Sequence, residues 1–341
     1  MNPSRRLLPS AAAVAVSAAL VLGSCSSDGG PGGTSDATSA PSADRQAVVT
    51  ELVDEVIEPQ LQSAASAVTA ARDTSAAYCA APSPATLQAA RTAVDEGITA
   101  YERLDPVDMG PIMLQRTDGH VVYPTDTERL EELLTGSPAT DAASIGSRTP
   151  SSTRGLTAAE HLLVSGPAPA TVPVRCAFLI GVTADAADSV AQVVAASVDG
   201  ADGATAYFDR LAGRSSDAEP PKETVDVIVN MMMNVLDQDA GLLADPNDRP
   251  EASVRRAAAA HLAAIGALWG DGSTGLSQLV GGDLERQLAD EIEAARRALD
   301  DPSLPSADAQ AAVEAVRATI GTEVVSALDV VVGFSENDGD S

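Results

Sequence analysis

Large side chains are scarce in this chain. Only 2% of its 341 residues are aromatic, so its cores must be built from Ala, Val and Leu. That favours close-packed helices over a β-sandwich, which relies on larger and β-branched residues in alternation. Basic residues are outnumbered: 21 Lys+Arg face 49 Asp+Glu, a formal charge of −28. A chain this acidic is repelled by phosphate backbones, which excludes a nucleic-acid binder. Histidine is limited to His120, His161 and His261, none in a His-Glu-x-x-His or comparable zinc spacing, and there is no cysteine cluster. Neither a Gly-x-Ser-x-Gly elbow nor a glycine-rich phosphate loop occurs. What the chain has is apolar content, 45% hydrophobic against 21% charged. This separates it from disordered acidic tails and provides for packed cores. Its length suggests about two domains.

Residues 1–24 read as an export signal. Arg5 and Arg6 form a positive start, and Leu7 to Leu22 supply a short Ala/Ser-rich apolar stretch broken by Pro9. The stretch ends in Leu22-Gly23-Ser24-Cys25, which resembles the bacterial lipobox. That resemblance implies a diacylated Cys25 as the mature N-terminus and an outward-facing anchor in the cell membrane; the alternative is an ordinary secretory signal with an incidental cysteine. Acyl chains bind bilayers at about 0.8 kcal/mol per buried CH₂. Loss of Arg5 and Arg6 lowers the formal charge from −28 to −30. Residues 25–43 are rich in Ser, Gly, Pro and Asp and read as a flexible tether. Cys79 and Cys176 remain; in an exported protein they are most simply one disulfide, the alternative being two buried thiols.

The rest reads as helices. Val48, Val49, Leu52, Val53, Val56 and Ile57 follow helical spacing, with a kink expected at Pro59. Ser83-Pro84 is a cap followed by proline at the first helical position, opening a helix to about Leu104. Thr125 to Glu128 has capping-box spacing and predicts a helix through Leu134. Residues 135–153 are polar and are expected to form a long loop, leading to a short helix near Thr157–Val164. Pro173 opens a long helix to about Val198, and a small one is expected around Tyr207–Leu211. Helices at about 220–240, 251–269, 283–299 and 306–332 complete an all-α chain. The expected organisation is an N-terminal bundle over 44–200, a linker over 201–218, and a C-terminal four-helix bundle over 219–341, with a cleft between the two antiparallel bundles.

Two segments stand out chemically. Arg154-Gly155-Leu156-Thr157-Ala158-Ala159-Glu160-His161-Leu162-Leu163 places a carboxylate in an apolar helical turn, where it must pair with a cation or coordinate one; Arg154 and Arg175 are the nearest arginines in sequence. The C-terminus, Gly333-Phe334 to Asp338-Gly339-Asp340, offers oxygen ligands of the kind hard cations take. His261, in an Ala-rich helical stretch, reads as a packed or surface histidine. Met231-Met232-Met233 spreads around a helix and reads as core.

Together these segments resemble the imelysin-like family of exported proteins, which includes imelysin and iron-regulated protein A. The landmarks occur in order: Tyr78-Cys79-Ala80-Ala81-Pro82, Gly110-Pro111, Tyr123-Pro124-Thr125-Asp126, Gly155 through Glu160 against the family signature Gly-x-His-x-x-Glu, Arg175-Cys176, and Gly333-Phe334 with the Asp338/Asp340 tail. One position departs, for Thr157 stands where the signature has His. The resemblance implies two helical bundles and one of two activities, metallopeptidase or a role in iron uptake. Loss of the imidazole at Thr157 favours the second. The expectation is a non-enzymatic lipoprotein in which Glu160, with Arg154, Thr157 and the Asp338/Asp340 tail, lines a ligand cleft. The cofactor is unidentified, with iron or another divalent or trivalent cation the expected ligand, and the partners are the membrane and iron-transport components. A metallopeptidase and a purely structural or protein-binding lipoprotein are the alternatives.

Overall fold

Prolines and capping side chains set where the helices begin. The computed structural model describes residues 42–166, 168–200, 204–246 and 249–333; Cys25, the tether, Asp338 and Asp340 lie outside them. The order is α1 (Ser42–Leu52), α2 (Glu58–Ala80), α3 (Pro84–Glu102), α4 (Pro111–Leu114), α5 (Asp118–Val121), α6 (Thr127–Thr135), α7 (Ala142–Arg148) and α8 (Gly155–Val164). It continues with α9 (Pro173–Val194), α10 (Tyr207–Leu211), α11 (Pro221–Ala244), α12 (Glu251–Trp269), α13 (Gly282–Asp300), α14 (Ser306–Thr319) and α15 (Val325–Leu328). No strand occurs among the described residues.

Ser83 caps α3 by accepting from the Thr86 amide, with Pro84 at the first helical position. Between α1 and α2 a π-helical segment, Val53–Ile57, ends just before the Glu58-Pro59 start of α2, where the proline has no N–H to donate. Two sequence expectations change in detail. The cap of α6 is Asp126, whose carboxylate accepts from the Arg129 amide. The polar stretch 135–153 contains α7, capped by Asp141 on the Ser144 amide, and a 3₁₀ turn at Ser151–Thr153. α7 buries only Ile145, so it offers no apolar periodicity to read.

The long helices pack as two rings of four. α2, α3, α8 and α9 each contact the next around one ring; α11, α12, α13 and α14 do so around the other. α1 precedes the first ring in sequence but packs on α11 of the second. The rings meet where α3 touches α12 and where a 3₁₀ turn, Asp105–Val107, rests on α11 and α12. One continuous apolar core runs through both, made mostly of Val, Leu, Ile and Ala, with Trp269 and Phe178 its largest fully buried side chains. α9 is apolar and long enough to cross a membrane by length and composition, yet it packs against α2, α7 and α8 and buries Arg175 and Asp185. Cys79, near the end of α2, is bonded to Cys176 at the start of α9, with Cα atoms 5.8 Å apart. This cross-link closes a 97-residue separation, worth about 4.7 kcal/mol in the chain-entropy account.

Candidate functional site

The signature helix α8 starts under tight steric control. Gly155 has φ +84°, and a Cβ there would meet the carbonyl oxygen of Val121 at 2.7 Å, so only glycine lets α8 approach this segment. Thr157 donates its hydroxyl to the Tyr123 carbonyl at 2.6 Å and accepts from the Thr125 hydroxyl at 2.8 Å. Arg154 is buried; its guanidinium donates to the carbonyls of Gly119 (2.8 Å) and Gly146. All three residues therefore hold the 119–125 segment and the α7 terminus against the start of α8.

Glu160, farther along α8, meets a cation from the other ring. Arg256 of α12 donates to Oε1 at 2.9 Å and to Oε2 at 3.4 Å, and the same guanidinium also bonds Asp95 of α3. Burial opposes the charge on Arg256, but Glu160 and Asp95 outweigh it and raise its pKa above the usual arginine value. Neither arginine near Glu160 in sequence is its partner. Arg154 is spent on carbonyls, and Arg175 donates to Glu131 at 2.6 Å. The Glu160 side chain keeps 35% exposure and borders a groove of about 270 Å³ between α3 and α8, lined also by Gln88, Arg91, Thr92, Asp95 and Leu163. The hydrogen bonds of Arg154 run to α5 and α7 and those of Thr157 to the 123–125 segment, not to Glu160 or this groove.

A metal held by the signature would need an imidazole at position 157 and a carboxylate free to coordinate. Thr157 has no ring nitrogen, its hydroxyl is engaged by Tyr123 and Thr125, and both oxygens of Glu160 face a guanidinium. These residues do not fit a metal.

The histidines are more informative, because each faces carboxylate. His120 Nδ1 lies 3.0 Å from Asp185, and His161 Nε2 lies 2.9 Å from Glu131. Burial works against Glu131, but hydrogen bonds from Arg175 and His161 hold it below the usual glutamate range. His261 sits among three carboxylates. Its Nδ1 is 3.0 and 3.1 Å from the two oxygens of Asp239 on α11. Its Nε2 is 3.0 Å from Glu102 at the end of α3 and 3.1 Å from Asp105 in the 3₁₀ turn. Burial alone would discharge this imidazole; Asp239 and the hydrogen bonds to Asp105 and Glu102 prevail and hold its pKa well above the ordinary histidine value. Desolvation raises Asp105 against the pull of His261, with Glu102 and Asp239 adding to the rise. Asp108 follows three residues on and is pushed up to about 6 by burial and by Asp105 and Asp118.

From sequence alone His261 reads as a packed or surface histidine. It is packed, but its partners come from positions 102, 105 and 239, which no local motif links to 261. The available signal was Glu102, Asp105 and Asp108 at three-residue spacing where α3 ends. There the helix dipole disfavours negative charge, so such a run needs a reason.

Against curated proteins the chain has no significant match. Among solved structures it resembles a protein assigned as an iron-regulated protein A precursor from Parabacteroides distasonis ATCC 8503, at TM-score 0.67 and 15% identity over 84% of this chain and 95% of that one. It also resembles an imelysin-like protein from Psychrobacter arcticum 273-4, at TM-score 0.68 and 15% identity over 86% and 98%. At such identity these likenesses speak to the fold. The Imelysin family model matches residues 57–328, most of the described helices from the start of α2 to α15, and by that match the chain belongs to the imelysin family.

Proposed function

We propose that this protein is a lipid-anchored, outward-facing envelope component that binds cations in the service of iron uptake and does not hydrolyse peptides. The non-enzymatic part rests on one observation: Arg256 neutralises the signature carboxylate Glu160 while Thr157 is tied to Tyr123. A zinc peptidase built on the signature would need position 157 and Glu160 among about three protein ligands, with an open position for water. His120 and His161 are each committed to a separate carboxylate away from Glu160. Support for cations comes from the formal charge of −28, which concentrates them near the surface and repels anionic chelates. The tie to iron comes from the name borne by one structural relative, an iron-regulated protein A precursor. Cys25 in its lipobox context supports the anchor. The test is accumulation of radioactive iron by iron-limited cells that lack the gene, carry it intact, or carry Cys25→Ser. Uptake should fall in the first and recover fully only with the intact gene; unchanged uptake on deletion would refute the proposal. Peptide hydrolysis by the purified protein would refute its non-enzymatic part.

A further inference from the structure

We infer that Glu102, Asp105 and His261 form a binding site for a divalent first-row transition cation at the junction of the two rings, with Asp239 fixing the imidazole from behind. The inference rests on the cation-binding part of the proposed function and gives it a location that the family signature does not supply.

Three independent features of the cluster agree. The first is donor geometry: one oxygen from each carboxylate and Nε2 of His261 all lie within 4.8 Å of one another, so a single ion placed among them reaches all three with small side-chain adjustments. The second is the far side of the ring. Nδ1 lies within hydrogen-bonding distance of both oxygens of Asp239, the arrangement that sets the tautomer of a metal-binding histidine and makes its other nitrogen the donor. Asp239 is buried, at 3% exposure of its side chain, so this orientation is built into the packing of α11 on α12. The third is charge. Three carboxylates surround one imidazole, and Glu102 is the last residue of α3, where the helix dipole adds further negative potential. Even a protonated His261 leaves the group negative, whereas a divalent ion and a neutral imidazole balance it far better.

The donor set selects the ion. Two carboxylates and an imidazole suit Zn²⁺, Fe²⁺ or Mn²⁺; the ring nitrogen counts against Ca²⁺ and Mg²⁺, which take oxygen. Asp105, at 34% side-chain exposure against 8% for His261, is the open side from which an ion enters and where water completes its coordination. The incoming ion takes the Nε2 lone pair, and the proton held there leaves to solvent. Because Glu102 and Asp105 belong to the segment leaving the first ring and His261 to the second, the bound ion also fastens the rings together.

The test is calorimetric titration of the purified, chelator-stripped full chain with Zn²⁺ and with Mn²⁺, beside the variants Glu102→Gln, Asp105→Asn, His261→Gln and Glu160→Gln. Circular dichroism establishes that each variant is folded, and Asp105→Asn, at the most exposed of the three ligands, keeps the test open should His261→Gln fail to fold. Wild type should bind one ion per chain. Each of the first three substitutions should weaken binding at least about tenfold, while Glu160→Gln should leave it unchanged. Absence of Zn²⁺ and Mn²⁺ binding by wild type, or equal binding by all variants, would overturn the inference. So would a loss confined to Glu160→Gln, although that result would leave cation binding itself standing. Iron accumulation in cells reports on the wider reading separately, because it can depend on the protein whichever residues hold the ion.

Discussion

The seam between α3 and α12 carries two ionic clusters of opposite design. At one, Arg256 of α12 meets Asp95 of α3 and Glu160 of α8, and a fixed guanidinium answers the carboxylates. Seven residues along α3 and five along α12, about 10 Å away, His261 meets Glu102, Asp105 and Asp239, so three carboxylates face one titratable imidazole where the first cluster sets two against a permanently charged guanidinium. The first cluster belongs to the family signature and carries its own positive charge in the chain. The second belongs to no motif and leaves the larger share of its charge to be balanced from outside. A carboxylate in a family signature is thus not evidence of a free ligand position until its partner is known.

The largest break in this comparison should come from His261→Ala. It leaves three carboxylates facing one another without the imidazole, and an unpaired buried charge cluster of this kind costs about 3–5 kcal/mol, readable in a denaturant titration of the metal-free protein. Arg256→Leu should cost less, about 1–2 kcal/mol, because Asp95 and Glu160 retain solvent contact that screens them. A loss equal to that of His261→Ala would show that the two clusters do not differ as argued.

Thr157→His restores the signature residue and sharpens the contrast. It removes the bond to Tyr123, worth about 1 kcal/mol, and should add no zinc site while Arg256 still occupies Glu160. A second equivalent of bound zinc in this single variant would contradict the assignment of Arg256 as the resident cation. Asp108→Asn should give the smallest change. The folded pKa of Asp108, about 6, is higher than in the unfolded chain. The native state therefore binds more protons between those values, and stability falls as pH rises through that window. Asparagine removes that slope, so the variant should gain about 1 kcal/mol at neutral pH, discounted for its solvent contact. Below the unfolded carboxylate pKa it should gain nothing. Thermal melts at several pH values read this directly, and a gain confined to low pH would reverse the sign.

The helices were legible because their signals are local. Ser83-Pro84 and Pro173 mark starts, and apolar spacing marks faces. α7 was not legible, since a single buried residue, Ile145, anchors it and the Asp141 cap resembles any polar loop residue. At the candidate site the need of Glu160 for a cation could be read from its apolar surroundings, but Arg256 lies 96 residues away and only packing of α8 on α3, and of α3 on α12, brings it there. His261 was less accessible still, for its three carboxylates are 22 to 159 residues distant. Local patterns report a helix; the meeting of charges across a seam is a property of tertiary packing.

The most direct test of the account is a crystal structure of the protein soaked in Mn²⁺, with anomalous difference density used to locate the ion. The account predicts a peak among Glu102, Asp105 and His261, with Asp239 still on Nδ1 and Arg256 still on Glu160. A peak beside Glu160 with Arg256 displaced, and none at His261, would contradict it.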